Sequence, residues 1–292
     1  MKVGIVGTGL LGRAVAARLL RTGHTVTVYN RTKEKAAVLK DQGAKIADSP
    51  KKLAEVSDLV ITIVRDSDAV ESVSFGEDGI VHGRHDGLIV ADMSTINPIA
   101  SKRLAQKFEQ YGIAMIDSPV MGGPPLAEKG GLVVMIGGKN DTYERCKQVF
   151  DSIGEKTFHV GPNGSAHSMK LALNLQISIL ALAISEGIIL TKRSGLDPML
   201  FFDVLNSTYF KTGMSLLKGP KMAKGNFEPS FFLKVMEKDL EEINQTAKEF
   251  GASLPMASVA MNLYKDAVEH GFGDIDYTGI LAYLERVGKQ TG

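Results

Sequence analysis

Six short runs rich in Val, Ile and Leu punctuate the first half of this chain: "KVGIVG" (2–7), "TVTVYN" (25–30), "LVITIV" (59–64), "LIVADM" (88–93), "AMIDSPV" (114–120) and "LVVMIGG" (132–138). Continuous apolar runs of this length suit strands covered on both faces, as in a parallel sheet between two layers of helices. Amphipathic stretches separate them, among them 10–22, 33–42 and 98–111. Repeated strand–helix–strand units of this kind predict a doubly wound α/β sheet.

After "FHVGPNG" (158–164) the pattern changes and every later segment reads as helix. A long apolar stretch runs to about Arg193, followed by helices expected over 198–206, 235–250, 255–270 and 277–289. Asp197-Pro198 pairs a capping side chain with a proline at the first helical position, and Gly251 suits a C-terminal cap. The expected division is a sheet domain over 1–162 and an all-helical domain over 163–292. One stretch, "LALNLQISILALAISEGIIL" (171–190), has the length of a membrane span. Asn174, Gln176, Ser178, Ser185 and Glu186 would all have to enter lipid, so it is read as a helix buried in protein, with Glu186 a buried, hydrogen-bonded member.

Lys plus Arg (34) nearly balances Asp plus Glu (33), which gives no global field toward nucleic acid or an anionic membrane. The single cysteine, Cys146, excludes an internal disulfide, fits the reducing cytosol and reads as a small core residue. A strand starting at Lys2 leaves no room for a signal peptide, so a cytoplasmic location is expected. None of the six histidines stands at metal-ligand spacing, and no metal is expected.

Within "GIVGTGLLG" (4–12), Gly7, Gly9 and Gly12 stand where a strand gives way to a helix. Gly7 permits the tight turn, Gly9 lets backbone approach a pyrophosphate, and Gly12 allows close helix–strand packing. Thr8, Leu10 and Leu11 complete the turn. A glycine-rich turn can simply connect two elements, but the strand–turn–helix context favours a dinucleotide and a Rossmann-type fold. The second run ends in Asn30, Arg31 and Thr32, where an acidic residue would receive the ribose hydroxyls of NAD. With no carboxylate there and Arg31 able to pair with a 2′-phosphate, NADP is expected over NAD. Val64 and Arg65 close the third run beside the same crevice. Arg65 reads either as a phosphate contact or as a surface charge.

Three further clusters carry chemistry: "DMSTINP" (92–98), "DSPVMGGPPLAEKGGL" (117–132) and "GPNGSAHSMKLALN" (161–174). Lys170 and Asn174 share one helical face with apolar and small neighbours. A lysine there either snorkels to solvent or gives a proton to a carbonyl oxygen while hydride reaches the carbon. His167, a turn earlier, is a rival acid/base, and Asp117 reads as a structural strand end. Phe231, Lys234 and Lys238 share another face, on which Lys234 reads as a solvated charge.

Together with "NRT", "SEGIILTKRSGL", "FFLKVMEKDL" and "FGDIDYTGI", these motifs resemble, in order and spacing, the β-hydroxyacid dehydrogenase family, which includes 3-hydroxyisobutyrate dehydrogenases and glyoxylate/succinic semialdehyde reductases. The resemblance implies that Lys170 is the catalytic lysine and Asn174 binds substrate. It places Thr95 near the nicotinamide, Lys238 near the cofactor, and the substrate carboxylate on backbone N–H groups of Gly122 and Gly123. Met121 stands where the family usually has serine, which either shifts the pocket toward longer or less polar substrates or leaves binding to the backbone. The expected activity is NADP(H)-dependent interconversion of a small aldehyde or keto acid with its hydroxy acid. The alternatives are a non-catalytic NADPH-binding regulatory module and an NAD-preferring 3-hydroxyisobutyrate dehydrogenase. Apolar helical faces in excess of what a small domain covers predict a homodimer or homotetramer.

Overall fold

The structure, a computed structural model, describes residues 1–290 and divides into two compact units, Met1–Lys170 and Leu171–Gly292. The first is built on β1 (Lys2–Val6), β2 (Thr25–Tyr29), β3 (Lys45–Ile46), β4 (Leu59–Thr62), β5 (Ile89–Asp92), β6 (Ala114–Asp117), β7 (Val120–Met121), β8 (Leu132–Gly137) and β9 (Gly154–Gly161). They form one sheet in the order β3-β2-β1-β4-β5-β6-β8-β7, with β9 paired to β8. The first six strands in that order are mutually parallel. From β1 the chain winds outward to β2 and β3, then returns across β1 to β4, so the strand order reverses between β1 and β4. Ligands of such sheets bind outside the carboxyl ends of the strands at that reversal.

Both-face burial follows from the strand composition. Ile61 and Ala91 join a core with Val15, Leu19 and Phe150. Their chain neighbours Val60 and Val90 face the opposite core with Leu53, Leu104 and Phe108. Each of these valine, leucine, isoleucine and phenylalanine side chains contributes about 1.5–3 kcal/mol by leaving water. Helix starts are set locally, as where Asn97 Oδ1 accepts from the N–H of Ile99 at 2.8 Å ahead of Pro98.

The structure departs from the apolar-run reading in four places. β9 is an eight-residue strand that no apolar run announced, because none of its residues is buried and half of them are exposed. β3 is only two residues and exposed. The run 114–120 splits into β6 and β7 at Ser118-Pro119, since proline cannot donate to a ladder. The stretch 33–42 breaks into a helix Lys33–Ala37 and a 3-10 turn Lys40–Gln42.

The long helix Ser165–Arg193 starts in the first unit and continues into the second. There Leu171, Ile184 and Ile188 pack with Met236 and Leu240 from helix Leu233–Glu249, Tyr264 from Pro255–Ala267 and Ile280. The long helix is long and apolar enough to cross a membrane. Three of its polar residues lie inside the protein: Ser185 Oγ donates to Ala181 O at 2.7 Å, and Asn174 and Ser178 are also buried. Glu186, expected to be buried, is exposed instead, because it falls outside the buried stripe of the helix. Buried Asp276 accepts from Lys218 Nζ at 2.6 Å and from the N–H of Ser230 at 3.0 Å, which ties the segment before helix Leu233–Glu249 to that before Ile280.

Candidate active site

The glycine turn is shaped by three different contacts. Gly7 has φ +107°, and a Cβ on it would stand 2.1 Å from Ile63 O. A Cβ on Gly12 would stand 2.0 Å from Gly7 O, so these two glycines hold backbone against backbone. A Cβ on Gly9 would meet nothing within 4 Å. Its lack of a side chain therefore serves no contact within the described residues and keeps the mouth of the turn open. Gly9 also caps helix Leu10–Arg21 with no side-chain hydrogen bond and no acidic residue in the first turn. The N–H groups of Leu10, Leu11 and Gly12, with the positive end of the helix dipole, are thus turned to whatever lies outside. An open cradle with unshared donors fits a pyrophosphate.

The turn is fixed to the tip of β2. Thr8 N donates to Asn30 Oδ1 at 3.0 Å, and Asn30 Nδ2 donates to Thr32 O at 2.9 Å. Asn30 thereby does structural service, and Arg31 and Thr32 are left exposed beside it. Thr8 Oγ1 is buried without a hydrogen-bond partner.

The ends of β4 and β5 are tied to each other. Asp92 Oδ1 accepts from Thr62 Oγ1 at 2.7 Å and from Ser94 N at 3.1 Å, while Val64 N donates to Ser94 Oγ at 3.0 Å. Val64 and Thr95 therefore flank one hydrogen-bonded seam at the carboxyl ends of the strands. Arg65 projects from it into solvent, 3.7 Å from Asp66.

Lys170 ends the first unit, half-buried, with Nζ 3.3 Å from Met121 Sδ. Met121 leads into Gly122, at φ +115°, and Gly123, which precedes helix Pro124–Lys129. The ammonium is thus at the loop that sequence reading chose for substrate. Wholly buried Asp117 anchors the helix that carries it: Oδ2 accepts from Gly164 N at 2.5 Å, and Oδ1 from Ser101 Oγ at 2.6 Å and Asn163 Nδ2 at 3.3 Å. The structural role read for Asp117 is therefore correct.

In the second unit, wholly buried Asn174 donates through Nδ2 to Asp239 Oδ2 at 2.6 Å. Lys238 Nζ lies 2.7 Å from Asp239 Oδ1, also buried. Asn174 Oδ1 has no hydrogen-bond partner and remains an acceptor. Sequence reading chose Asn174 and Lys238 but missed Asp239, the carboxylate that joins them. The available signal was an acidic residue on a helix face otherwise made of Met236, Leu240 and Ile243. Lys234 is an exposed partner of Asp274, as its reading as a solvated charge requires. Burial pushes the Cys146 thiol up to about 12, which removes it as a nucleophile. Among the described residues no group of three or more His, Cys, Asp or Glu side chains is poised around a metal.

Known proteins resemble this chain along most of its length. The family model for the NAD binding domain of 6-phosphogluconate dehydrogenase matches residues 2–161, and that for the NAD-binding region of NADP-dependent 3-hydroxyisobutyrate dehydrogenase matches residues 164–284. The 2-hydroxy-3-oxopropionate reductase of Escherichia coli (strain K12) is 30% identical over 98% of this chain and 97% of its own length. Glyoxylate/succinic semialdehyde reductase 2, chloroplastic, of Arabidopsis thaliana is 30% identical over 98% of this chain and 80% of its own. The crystal structure of 3-hydroxyisobutyrate dehydrogenase from Salmonella typhimurium superposes with a TM-score of 0.89 at 27% identity, covering 97% of this chain and 99% of that one.

A nucleotide-binding sheet followed by a helical domain, with these matches across its length, defines an NAD(P)-dependent oxidoreductase. The chain belongs to the β-hydroxyacid dehydrogenase family.

Proposed function

We propose that this protein interconverts a small carboxylate-bearing aldehyde or keto acid and its hydroxy acid, with NADP(H) as cofactor and Lys170 as the general acid/base. The observation that carries the reading is the Lys170 ammonium, half-buried and 3.3 Å from Met121 at the head of the Gly122-Gly123 loop. Gly7, Thr8, Gly9, Leu10, Leu11 and Gly12 would hold the cofactor pyrophosphate, with Asn30, Arg31 and Thr32 around the adenosine ribose and Val64 and Thr95 toward the nicotinamide. Arg65 and Lys238 complete the set. NADP is favoured because Arg31 is exposed at the tip of β2 and none of residues 30–32 is a carboxylate to repel a 2′-phosphate.

The bound reduced nicotinamide supplies hydride to the carbonyl carbon. The protein supplies the rest. Backbone N–H groups of Gly122 and Gly123 grip the substrate carboxylate, and Met121 walls the pocket beside them. Lys170 donates a proton to the carbonyl oxygen as charge develops there, and in the reverse direction takes the hydroxyl proton. Asn174, its amide held by Asp239, keeps Oδ1 to accept from a substrate hydroxyl. We assign the nucleotide domain to 1–162 and the helical domain to 163–292. The lone cysteine, balanced charge and exposed apolar residues Leu200, Val204 and Leu217 support a cytoplasmic homodimer or homotetramer that acts on free small molecules, with neither nucleic acid nor membrane as partner.

The test follows NADPH oxidation at 340 nm against glyoxylate, succinic semialdehyde and methylmalonate semialdehyde, and the reverse reaction with 3-hydroxyisobutyrate, using both cofactors. Lys170→Ala should lower kcat by about 10²–10⁴-fold while NADPH affinity is kept. Retention of most activity would remove Lys170 from its role. Silence of the wild type toward all four compounds would favour a binding module instead.

A further inference from the structure

Asp92 and Asp117 are register partners at the carboxyl ends of the neighbouring parallel strands β5 and β6, and both are wholly buried. Asp117 spends both oxygens, and two of its bonds hold residues 163 and 164 at the entry to the long helix. Asp92 spends one. Its Oδ2 has no hydrogen-bond partner and faces Nε2 of His167 at 3.5 Å. His167 is itself wholly buried, with neither ring nitrogen hydrogen-bonded. Buried polar atoms left so loosely paired cost free energy, and such atoms call for an explanation.

We propose that His167 is a positioning residue for Lys170, acting through its contact with Asp92. The inference rests on the reading of Lys170 given above. His167 precedes Lys170 by three residues on one helix, so the two project from neighbouring positions of the same side. His167 turns Nε2 toward Asp92, inside the protein. Asp117 holds the helix by its backbone at residue 164 and so fixes where the helix begins. A second tether, at a side chain further along, fixes how the helix is turned about its own axis. Nε2 is the nitrogen toward Asp92, and it can present an N–H to Oδ2 whether the ring is neutral or protonated.

The leverage is large. A lysine ammonium stands roughly 8 Å from its helix axis, so a turn of about 10° carries it more than about 1 Å. A displacement of that size in a reacting group costs about 10²-fold in rate. The opposite side of the tether is the seam between β4 and β5, because Asp92 also orients Ser94 and through it Val64 N. One carboxylate thereby relates the proton donor to the strand ends proposed for the nicotinamide.

The experiment compares His167→Leu, which fills the space without an N–H, with His167→Gln, which returns an N–H near the Nε2 position. Rates are measured with NADPH and the fastest of the four compounds above, and kcat is expressed per NADPH-binding site so that unfolded protein does not count. The leucine variant should lose about ten- to a hundredfold in kcat, with substrate KM and NADPH affinity within about threefold of wild type. The glutamine variant should recover to within about threefold. A leucine variant that keeps its kcat per site, or a glutamine variant as poor as leucine, overturns the proposal. Should the leucine variant not fold, His167→Asn, whose amide stops short of Asp92, carries the same expectation and the same refutation. Lys170→Ala is run alongside. If it stays active, the catalytic reading fails and this inference with it; if it is inactive while His167→Leu is normal, only this inference fails.

Discussion

Replacing Gly9 by alanine separates the fold of the nucleotide turn from its use. Gly9 has φ −67° and ψ −166°, ordinary values for any residue, and a Cβ there meets nothing within 4 Å. Gly→Ala at such a position gains about 0.4–1 kcal/mol by restricting the unfolded chain, and alanine is a poorer cap than glycine by a similar small amount, so stability should stay within about 1 kcal/mol. Gly12→Ala is the contrast. Its Cβ would lie 2.0 Å from Gly7 O, a backbone atom that cannot swing away. Overpacking of that kind costs about 1–3 kcal/mol or more against a helix-propensity gain of about 1 kcal/mol. A net loss of about 2 kcal/mol lowers Tm by about 4–8 °C in a unit of this size.

Cofactor binding should rank the two differently. The Gly9 methyl occupies the space into which a pyrophosphate must press, and each charge-assisted hydrogen bond lost there is worth about 1.5–3 kcal/mol. Gly9→Ala should therefore weaken NADPH by about 10- to 100-fold at unchanged Tm. Thermal melts and a fluorescence titration with NADPH read both quantities on the same samples. Binding within about threefold of wild type by a fully folded Gly9→Ala protein would refute the claim that Gly9 faces the phosphates.

Three other outcomes follow. Arg31→Ala should raise the Kd for NADPH by about tenfold or more and leave that for NADH nearly unchanged, as one lost charge-assisted contact predicts; equal effects on both would make Arg31 a surface residue. Lys218→Ala strands the buried Asp276 carboxylate and should cost about 3 kcal/mol in urea unfolding at neutral pH. Burial pushes the Asp276 carboxyl up, but Lys218 and the Ser230 and Thr278 hydrogen bonds outweigh it and hold it below its ordinary 3.8. That stability is present above 3.8 and lost as pH falls through the lower folded value, so the deficit of the variant should shrink in acid. Cys146 should resist thiol reagents at pH 8 until the protein unfolds. Its thiol is raised by burial from 9.0 to about 12, so its contribution to stability is complete below 9.0 and fades as pH climbs toward 12.

Much of the first unit could be read from neighbouring residues alone. Runs such as "LVITIV" carry the signature of a strand buried on both faces within six letters, and the three glycines carry their turn within six positions. Periodicity and turn chemistry are local properties, and local order constrains them tightly. Where local signal is weak the reading failed: β9, with no buried residue, was invisible, and Glu186 was placed on the wrong side of its helix. Lys170 and Asn174 stood out because a helix brings residues four apart onto one face.

The partners of those residues were beyond the reach of sequence. Asn174 meets Asp239, Lys170 meets Met121, His167 faces Asp92, and Asp92 lies in register with Asp117. Each pair joins segments far apart in the chain, and nothing in the spacing of one names the other. Such pairs exist only after the strands have paired and the helices have packed. Sequence by itself determined the kind of elements and the cofactor turn; tertiary packing decided which buried polar groups answer one another, because that depends on distances the folded backbone sets.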